Sequence, residues 1–188
     1  MAACSPNVET ILSLTTYAQE TSEWCWAASG ETIMADLGHG VAQSQLAHDD
    51  MDPKSEACSS TFCDKPPAIG DPCVHSGWPD FEKHGFSSQH TTSAALTWDE
   101  IKQQLSDAPN CGHTPFAMTW KWPGGGGHMM VVKGYSEVDG EKYVYVFDPW
   151  WPCVGAEVKM PYDYYVQEAG HHTHWNDYYG VRYTGTKT

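Results

Sequence analysis

The fold is decided by residues 123–135, which read PGGGGHMMVVKGY. A proline and four glycines form a turn-forming run, and the apolar residues directly after it are typical of a buried strand. Four further runs are rich in Val, Tyr, Phe and Trp and are separated by Gly, Pro and Asp turns: 116–120, 142–147, 156–160 and 178–183. Their close spacing, with little helix between them, predicts antiparallel pairing.

The chain before about residue 112 has a different pattern. From Ser22 to Leu37, apolar and small residues recur at three- and four-residue steps, which predicts a helix ended by Gly38. A short helix is expected over residues 43–47, and the capping box that begins at Thr97 predicts another. We therefore expect one α+β domain spanning residues 1–188.

This domain is predicted to consist of a helical and loop half, about residues 1–111, packed against an antiparallel β half, about residues 112–188. Between the helices, residues 49–77 form a long loop rich in Cys, Pro, Asp and Ser. A loop of that length needs cross-links or a metal to stay ordered.

Charge and hydropathy exclude several classes of partner. Acidic residues outnumber basic ones 24 to 10, and the net charge of -14 repels nucleic acid. No apolar stretch is long enough to span a membrane, and the first residues contain neither a basic region nor an apolar run. We expect a secreted or otherwise exported protein whose signal is absent from this sequence. The oligomeric state is not predicted.

Seven cysteines allow at most three disulfides and leave one thiol free. Cys25 differs from the rest because it lies between two tryptophans in the first predicted helix. The other six fall in loops suited to cross-linking: Cys4, Cys58, Cys63, Cys73, Cys111 and Cys153. Disulfides are favoured over two alternatives, unpaired loop thiols and a zinc site. The zinc ligands would be Cys58, Cys63, Cys73 and His75, but their spacing lacks paired two-residue knuckles.

Four residues have a pattern typical of nucleophilic catalysis. Cys25 lies near a predicted helix N-terminus, which favours a thiolate. His128 begins a strand beside the glycine run and can act as acid and base. Asp148 ends the strand 143–147, and if the turn near Asp139-Gly140 makes the two strands neighbours, Asp148 can orient the imidazole. Gln19 can donate to an oxyanion together with the Cys25 N–H.

These residues carry a family resemblance. Gln19-x5-Cys25-Trp26-Ala27, the block 127–135 and the block 146–150 resemble papain-fold cysteine peptidases, and more narrowly the bacterial AvrRpt2-type and C39-like group. The resemblance implies an active site in the cleft between the two halves, with the four roles given above. Plant-type papains have small residues where this chain has Glu23-Trp24, and usually Asn where it has Asp148, so their subsite preferences cannot be transferred.

The expected activity is that of a cysteine endopeptidase that hydrolyses proteins or peptides through a covalent thioester, with no cofactor or metal. Two alternatives remain open: a deamidase, transpeptidase or acyltransferase with the same triad, and a catalytically inactive or metal-stabilised binding module. The candidates for the substrate groove are Trp24, Trp26, Gly126, Gly127 and Trp150.

Two further features are interpreted less directly. Trp150 or Trp175 can shield the contact of His128 with Asp148 from water. The run His171-His172-Thr173-His174 is expected to be a polar loop rather than a metal site, because no carboxylate or cysteine is suitably spaced.

Overall fold

A sheet of eight antiparallel strands forms the centre of the molecule in a computed structural model that describes residues 3–52 and 54–187. The strands are β1 Glu9–Ile11, β2 Phe86–His90, β3 Phe116–Lys121, β4 Gly127–Val138, β5 Glu141–Asp148, β6 Ala156–Pro161, β7 Gln167–Glu168 and β8 His172–Tyr183. Their order is β2-β8-β3-β4-β5-β6, with β1 paired to β4 and β7 to β8. The predicted antiparallel pairing is confirmed.

Helices cover both faces of this sheet. They are α1 Cys25–Asp36, α2 Gln43–Asp49, α3 Trp98–Leu105 and α4 Tyr162–Val166, and a short 3-10 helix spans Phe81–His84. The capping box at the start of α3 is present, since the Thr97 hydroxyl accepts from the Glu100 N–H and the Glu100 carboxylate accepts from the Thr97 N–H. No helix within residues 3–52 and 54–187 is long and apolar enough to cross a membrane.

Alternating side chains divide the interior into two cores. Ala117, Met129, Val131 and Phe147 pack with α1 and α2, while Met130, Val132, Val144 and Val146 pack with α3 and α4 on the opposite face. Successive strand residues point to opposite faces, so the unbroken apolar runs of β3 and β4 are explained by burial on both sides. The predicted α+β class is confirmed: α1 and α2 pack against the antiparallel sheet, and a cleft lies between the helices and the sheet.

The hairpin of β4 and β5 aligns the strands that carry His128 and Asp148. Its turn contains Asp139 and Gly140, whose φ angles of 53° and 83° match the left-handed region that tight hairpin turns require. The register pairs Val131 with Phe147, which places the start of β4 beside the end of β5. His128 and Asp148 therefore lie on neighbouring strands, as the turn predicted.

Three parts of the secondary structure differ from the expectation. The N-terminal part contributes two strands, β1 and β2, to the sheet, and α3 packs on the face opposite α1. The expected polar loop at residues 171–174 is wrong, because β8 begins at His172 and both His172 and His174 are buried. Buried aromatic neighbours hold these histidines, with the His172 ring stacked on Trp120 at 3.8 Å between centroids.

Three disulfides hold the loops: Cys4–Cys111, Cys58–Cys73 and Cys63–Cys153. All seven cysteines lie in the described part of the chain, and Cys25 is the one outside a disulfide. The zinc alternative is therefore wrong, since its three cysteine ligands are all oxidised. Within residues 3–52 and 54–187, no group of three or more His, Cys, Asp or Glu side chains is placed to hold a metal. The cross-links stabilise the chain by restricting the unfolded state.

This pairing predicts one reactive thiol per chain. Iodoacetamide added to the unfolded, unreduced protein should add a single carbamidomethyl group, and peptide mass spectrometry should locate it on Cys25. Cys25→Ser should take up none, whereas prior reduction should give seven additions in the unchanged chain. Three or more additions without reduction would contradict the disulfide assignment.

Candidate active site

The first turn of α1 places Cys25 at the helix N-terminus. Trp24 occupies the cap position without a side-chain cap, and the first N–H to bond back along the helix is that of Ala28, to the Trp24 carbonyl at 2.9 Å. The N–H groups of Cys25, Trp26 and Ala27 therefore have no acceptor within the helix. Together with the helix dipole, they favour negative charge at the Cys25 sulfur or at an oxygen bound beside it.

The two tryptophans beside Cys25 are anchored to the cross-linked loop. The Trp24 indole N–H donates to the Cys73 carbonyl at 2.7 Å, and the Trp26 indole N–H donates to the His75 carbonyl at 3.1 Å. Trp24 is completely buried. It packs on Phe62, so the expectation that Trp24 lines the substrate groove is wrong. Its indole has a structural role: it ties the N-terminus of α1 to the loop that the Cys58–Cys73 disulfide closes.

His128 and Asp148 form a short hydrogen bond. His128 Nε2 lies 2.6 Å from Asp148 Oδ1, and the same oxygen accepts the Trp150 N–H at 2.9 Å. His128 is 5% exposed, and its Nδ1 is buried without a hydrogen bond of standard geometry to any described residue. Asp148 therefore binds Nε2 of the ring, and Nδ1 remains available to another group.

The charges around His128 favour the imidazolium form. Burial lowers the pKa of His128, but the hydrogen bond and charge of Asp148, together with the Cys25 side chain, outweigh burial and raise the pKa to about 9. The Cys25 sulfur is close enough to contribute to this rise, although the pair lies outside standard hydrogen-bond geometry. At neutral pH the imidazolium form of the ring is therefore favoured.

Two indoles enclose the imidazole. The Trp150 ring lies edge-on to His128 with centroids 5.0 Å apart, and Trp122 lies nearly parallel to it at 6.4 Å. Trp150 thus lies beside the ring that bonds to Asp148, but it is not part of the cleft lining, where it was expected as a groove residue. Trp175, the other candidate for shielding this bond, lies in the cleft wall. Sequence reasoning did not single out Trp122. Its position beside the His128 ring depends on the turn that joins β3 and β4.

Gln19 is held beside the loop that follows Asp148. Its N–H donates to the Pro149 carbonyl at 3.2 Å, and its carbonyl accepts from the Cys153 N–H at 2.8 Å. The Cys63–Cys153 disulfide holds the same loop from the other side. Gln19 is buried, its side-chain amide makes no hydrogen bond with the described residues, and it is not part of the lining of the adjacent cleft.

Cys25 and His128 line the same cleft, which has a volume of about 340 Å³. Three of the predicted groove residues, Trp26, Gly126 and Gly127, are in its wall. At Gly127 a side chain is excluded, because a Cβ would collide with the Trp120 carbonyl oxygen. Side chains that sequence reasoning missed complete the lining: Glu23, Asp50, Ser76, Trp78, Thr119 and Met129. Asp50, Ser76 and Trp78 come from loop positions far from Cys25 in sequence, and no local pattern marks them. The other three lie close to Cys25 along the chain or on β3 and β4.

The comparisons with known proteins identify the family. The Peptidase_C39 like family matches residues 11–183, and this chain belongs to it. Family membership supports a cysteine peptidase, a hydrolase acting on proteins or peptides. The family match does not confirm the narrower resemblance to the AvrRpt2-type group.

A solved structure from work on antibody cross-reactivity between the mite allergens Blo t 1 and Der p 1 is similar to this chain. It is 14% identical to this chain, with a TM-score of 0.44. The match covers 88% of this chain and 66% of that chain, so this chain spans just under two thirds of that structure's length. No curated protein matches this chain.

Proposed function

We propose that this chain is a cysteine endopeptidase whose nucleophile is Cys25, whose acid and base is His128 and whose orienting residue is Asp148. One observation carries the proposal: the buried His128 is hydrogen-bonded to a carboxylate through Nε2, its Nδ1 has no hydrogen bond with the described residues, and the residue lines the same cleft as Cys25, the one free cysteine. A cysteine in a disulfide could not serve, and Cys25 is outside all three. An inactive module would not need this arrangement.

The first half of the proposed reaction forms a thioester. The Cys25 thiolate attacks the carbonyl carbon of the peptide bond, and the carbonyl oxygen becomes an oxyanion. The unbonded N–H of Cys25 can donate to this oxygen, and we propose that the Gln19 amide joins it after a side-chain movement. The His128 imidazolium then gives its Nδ1 proton to the amine nitrogen as the carbon–nitrogen bond breaks.

The second half releases the acyl group. Neutral His128 takes a proton from water at Nδ1, and the resulting hydroxide attacks the thioester carbon. The carbon–sulfur bond breaks, the carboxylic acid product leaves, and the Cys25 thiolate is regenerated beside imidazolium. Asp148 keeps Nε2 protonated throughout, so that Nδ1 is the nitrogen that exchanges protons.

We also propose that residues 1–188 act as a single catalytic domain in an oxidising, extracellular setting. The three disulfides are consistent with that location. A bacterial source and the AvrRpt2-type relationship remain part of the proposal, as implied by the sequence resemblance alone.

Replacement of the nucleophile tests the function directly. Cys25→Ala should lower the rate of cleavage of a denatured protein by at least about 10³-fold, because the covalent route is lost. Cys25→Ser provides a variant of nearly equal volume. New chain termini detected by mass spectrometry indicate hydrolysis, whereas a gain of about one mass unit per Gln on an intact chain would indicate deamidation. Equal digestion by the unchanged protein and Cys25→Ala would disprove the assignment.

The pKa of His128 predicts the alkaline limit of activity. Because the reaction needs imidazolium, and the pKa is raised to about 9, kcat/KM should persist at neutral pH and fall as the pH rises through about 9. Asp148→Asn removes the charge that raises this pKa, so the alkaline limb should move to lower pH. The measurement is kcat/KM against pH for both proteins; an unmoved limb would argue against the contact of His128 with Asp148.

The disulfides offer a matched pair of variants. Cys4–Cys111 and Cys63–Cys153 span 107 and 90 residues, so the loss of either should lower the free energy of unfolding by about 4.7 kcal/mol in the chain-entropy account. Only Cys63–Cys153 holds the loop beside Gln19 and Asp148. Replacing both of its cysteines by Ser should lower kcat further than the same change at Cys4 and Cys111. Rates are compared where circular dichroism shows both variants folded, and equal kcat values would contradict this prediction.

A further inference from the structure

We propose that the cleft binds a cationic side chain, Lys or Arg, of the peptide substrate between the carboxylates of Glu23 and Asp50. The inference rests on the proposed function and adds a substrate class to it. The two carboxylates come from distant parts of the chain: Glu23 lies two residues before the start of α1, and Asp50 directly follows α2. Folding brings both to the cleft that Cys25 and His128 line.

The charges of the cleft wall are unbalanced. Glu23 and Asp50 are in the lining, and no Lys or Arg of the described residues is. The Glu23 carboxylate forms no salt bridge with the described part of the chain, and its backbone has a φ of 67°, a strained value for a residue with a side chain.

Asp50 is only partly neutralised. Its oxygens lie 3.6 Å from Lys83 Nζ and 3.8 Å from His75 Nδ1, but the Lys83 ammonium is much closer to Asp80, at 2.6 Å. The Asp50 side chain stays 31% exposed. At Gly77 a Cβ would lie 3.1 Å from the Asp50 carboxylate and 2.9 Å from the Trp26 ring. A side chain at Gly77 would therefore crowd the carboxylate and the indole where they border the cleft.

The walls between these carboxylates are aromatic. Trp26, Trp78 and Trp175 line the cleft, and the last two pack edge to face with centroids 5.1 Å apart. Indole rings attract ammonium and guanidinium groups, and the Trp175 ring already has Lys121 Nζ at 5.6 Å. A long cationic side chain can place its methylene groups on these rings and its charge near a carboxylate.

Two further observations bear on the ligand. His128 is more than nine-tenths buried in the cleft lining and its Nδ1 has no hydrogen bond with the described residues, so this N–H is left for the peptide backbone, while the cationic side chain binds at the carboxylates. Next to the cleft, and sharing Trp78 with it, is a second cavity of about 460 Å³ whose charged lining includes Asp80 and Glu82. With a net charge of -14, the whole molecule attracts cationic peptides toward this region.

The test uses a series of peptides that differ at one position, which holds Arg, Gln or Glu and is moved along the chain. At low ionic strength, at one position, kcat/KM should be about ten-fold higher with Arg than with Gln, and lowest with Glu. Glu23→Gln and Asp50→Asn should each reduce the Arg-to-Gln ratio by about three-fold, and so should added salt.

Glu141→Gln is the matched control, because it removes the same charge from the exposed β4–β5 hairpin. It should leave the Arg-to-Gln ratio unchanged. If it lowers the ratio as much as Glu23→Gln does, the preference belongs to the overall field and the proposed site is wrong. An Arg-to-Gln ratio near one in the unchanged protein, at every position, would also overturn it.

Binding to Cys25→Ala separates this inference from the proposed function. The affinity of the same peptides, followed by tryptophan fluorescence, should be higher with Arg than with Gln even without turnover. If the unchanged protein cleaves nothing while this preference is present, the proposed function fails and the binding site stands. If cleavage occurs and Cys25→Ala binds the peptides equally, the binding site is wrong and the function stands.

Discussion

The hydrogen bond between His128 Nε2 and Asp148 Oδ1 is the contact around which the site is organised. It exists because β4 and β5 are antiparallel neighbours, so the first residues of one strand meet the last residues of the other. Burial by itself would make a charged imidazole unfavourable, and the carboxylate reverses that preference. The bond also selects which ring nitrogen remains available to the cleft.

Disulfides and indole hydrogen bonds hold the long loop beside Cys25 in place. The loop between α2 and the 3-10 helix has little regular structure, yet its carbonyls at Cys73 and His75 hold the two tryptophans that flank Cys25. The Cys58–Cys73 disulfide closes this loop, and the Cys63–Cys153 disulfide ties it to the loop after Asp148. Both sides of the cleft are thereby attached to the same loop, which limits how far they can separate.

Electrostatics gives the site two distinct parts. Around the buried His128, which lies beside Trp122 and Trp150, one carboxylate and the Cys25 side chain favour a cation. Across the cleft, Glu23 and Asp50 leave negative charge facing the space that a substrate would occupy. Low dielectric surroundings strengthen both effects relative to water. The acidic composition of the chain favours the cationic peptide that we propose as its substrate.

Local sequence patterns predicted much of the secondary structure and of the candidate site. Helix periodicity, the capping box at Thr97 and the turn at Asp139-Gly140 are local signals, and the elements that they predict are present. The positions of Cys25, His128 and Asp148 followed from element ends, which local patterns indicate well. An odd number of cysteines also implied one free thiol, and the position between two tryptophans singled out Cys25.

Other features depended on contacts between residues far apart in the chain. The disulfide partners are 15 to 107 residues apart, and no spacing rule selects them from the fifteen possible pairings. Trp24 and Trp26 are separated by one residue, yet one is sealed in the core and the other faces the cleft. The sequence predicted a polar loop at the buried histidines of β8. Their burial is favourable only because aromatic rings pack around them in the folded chain. Local patterns determine which elements form and where they end, whereas side-chain environments depend on packing that only the folded chain creates.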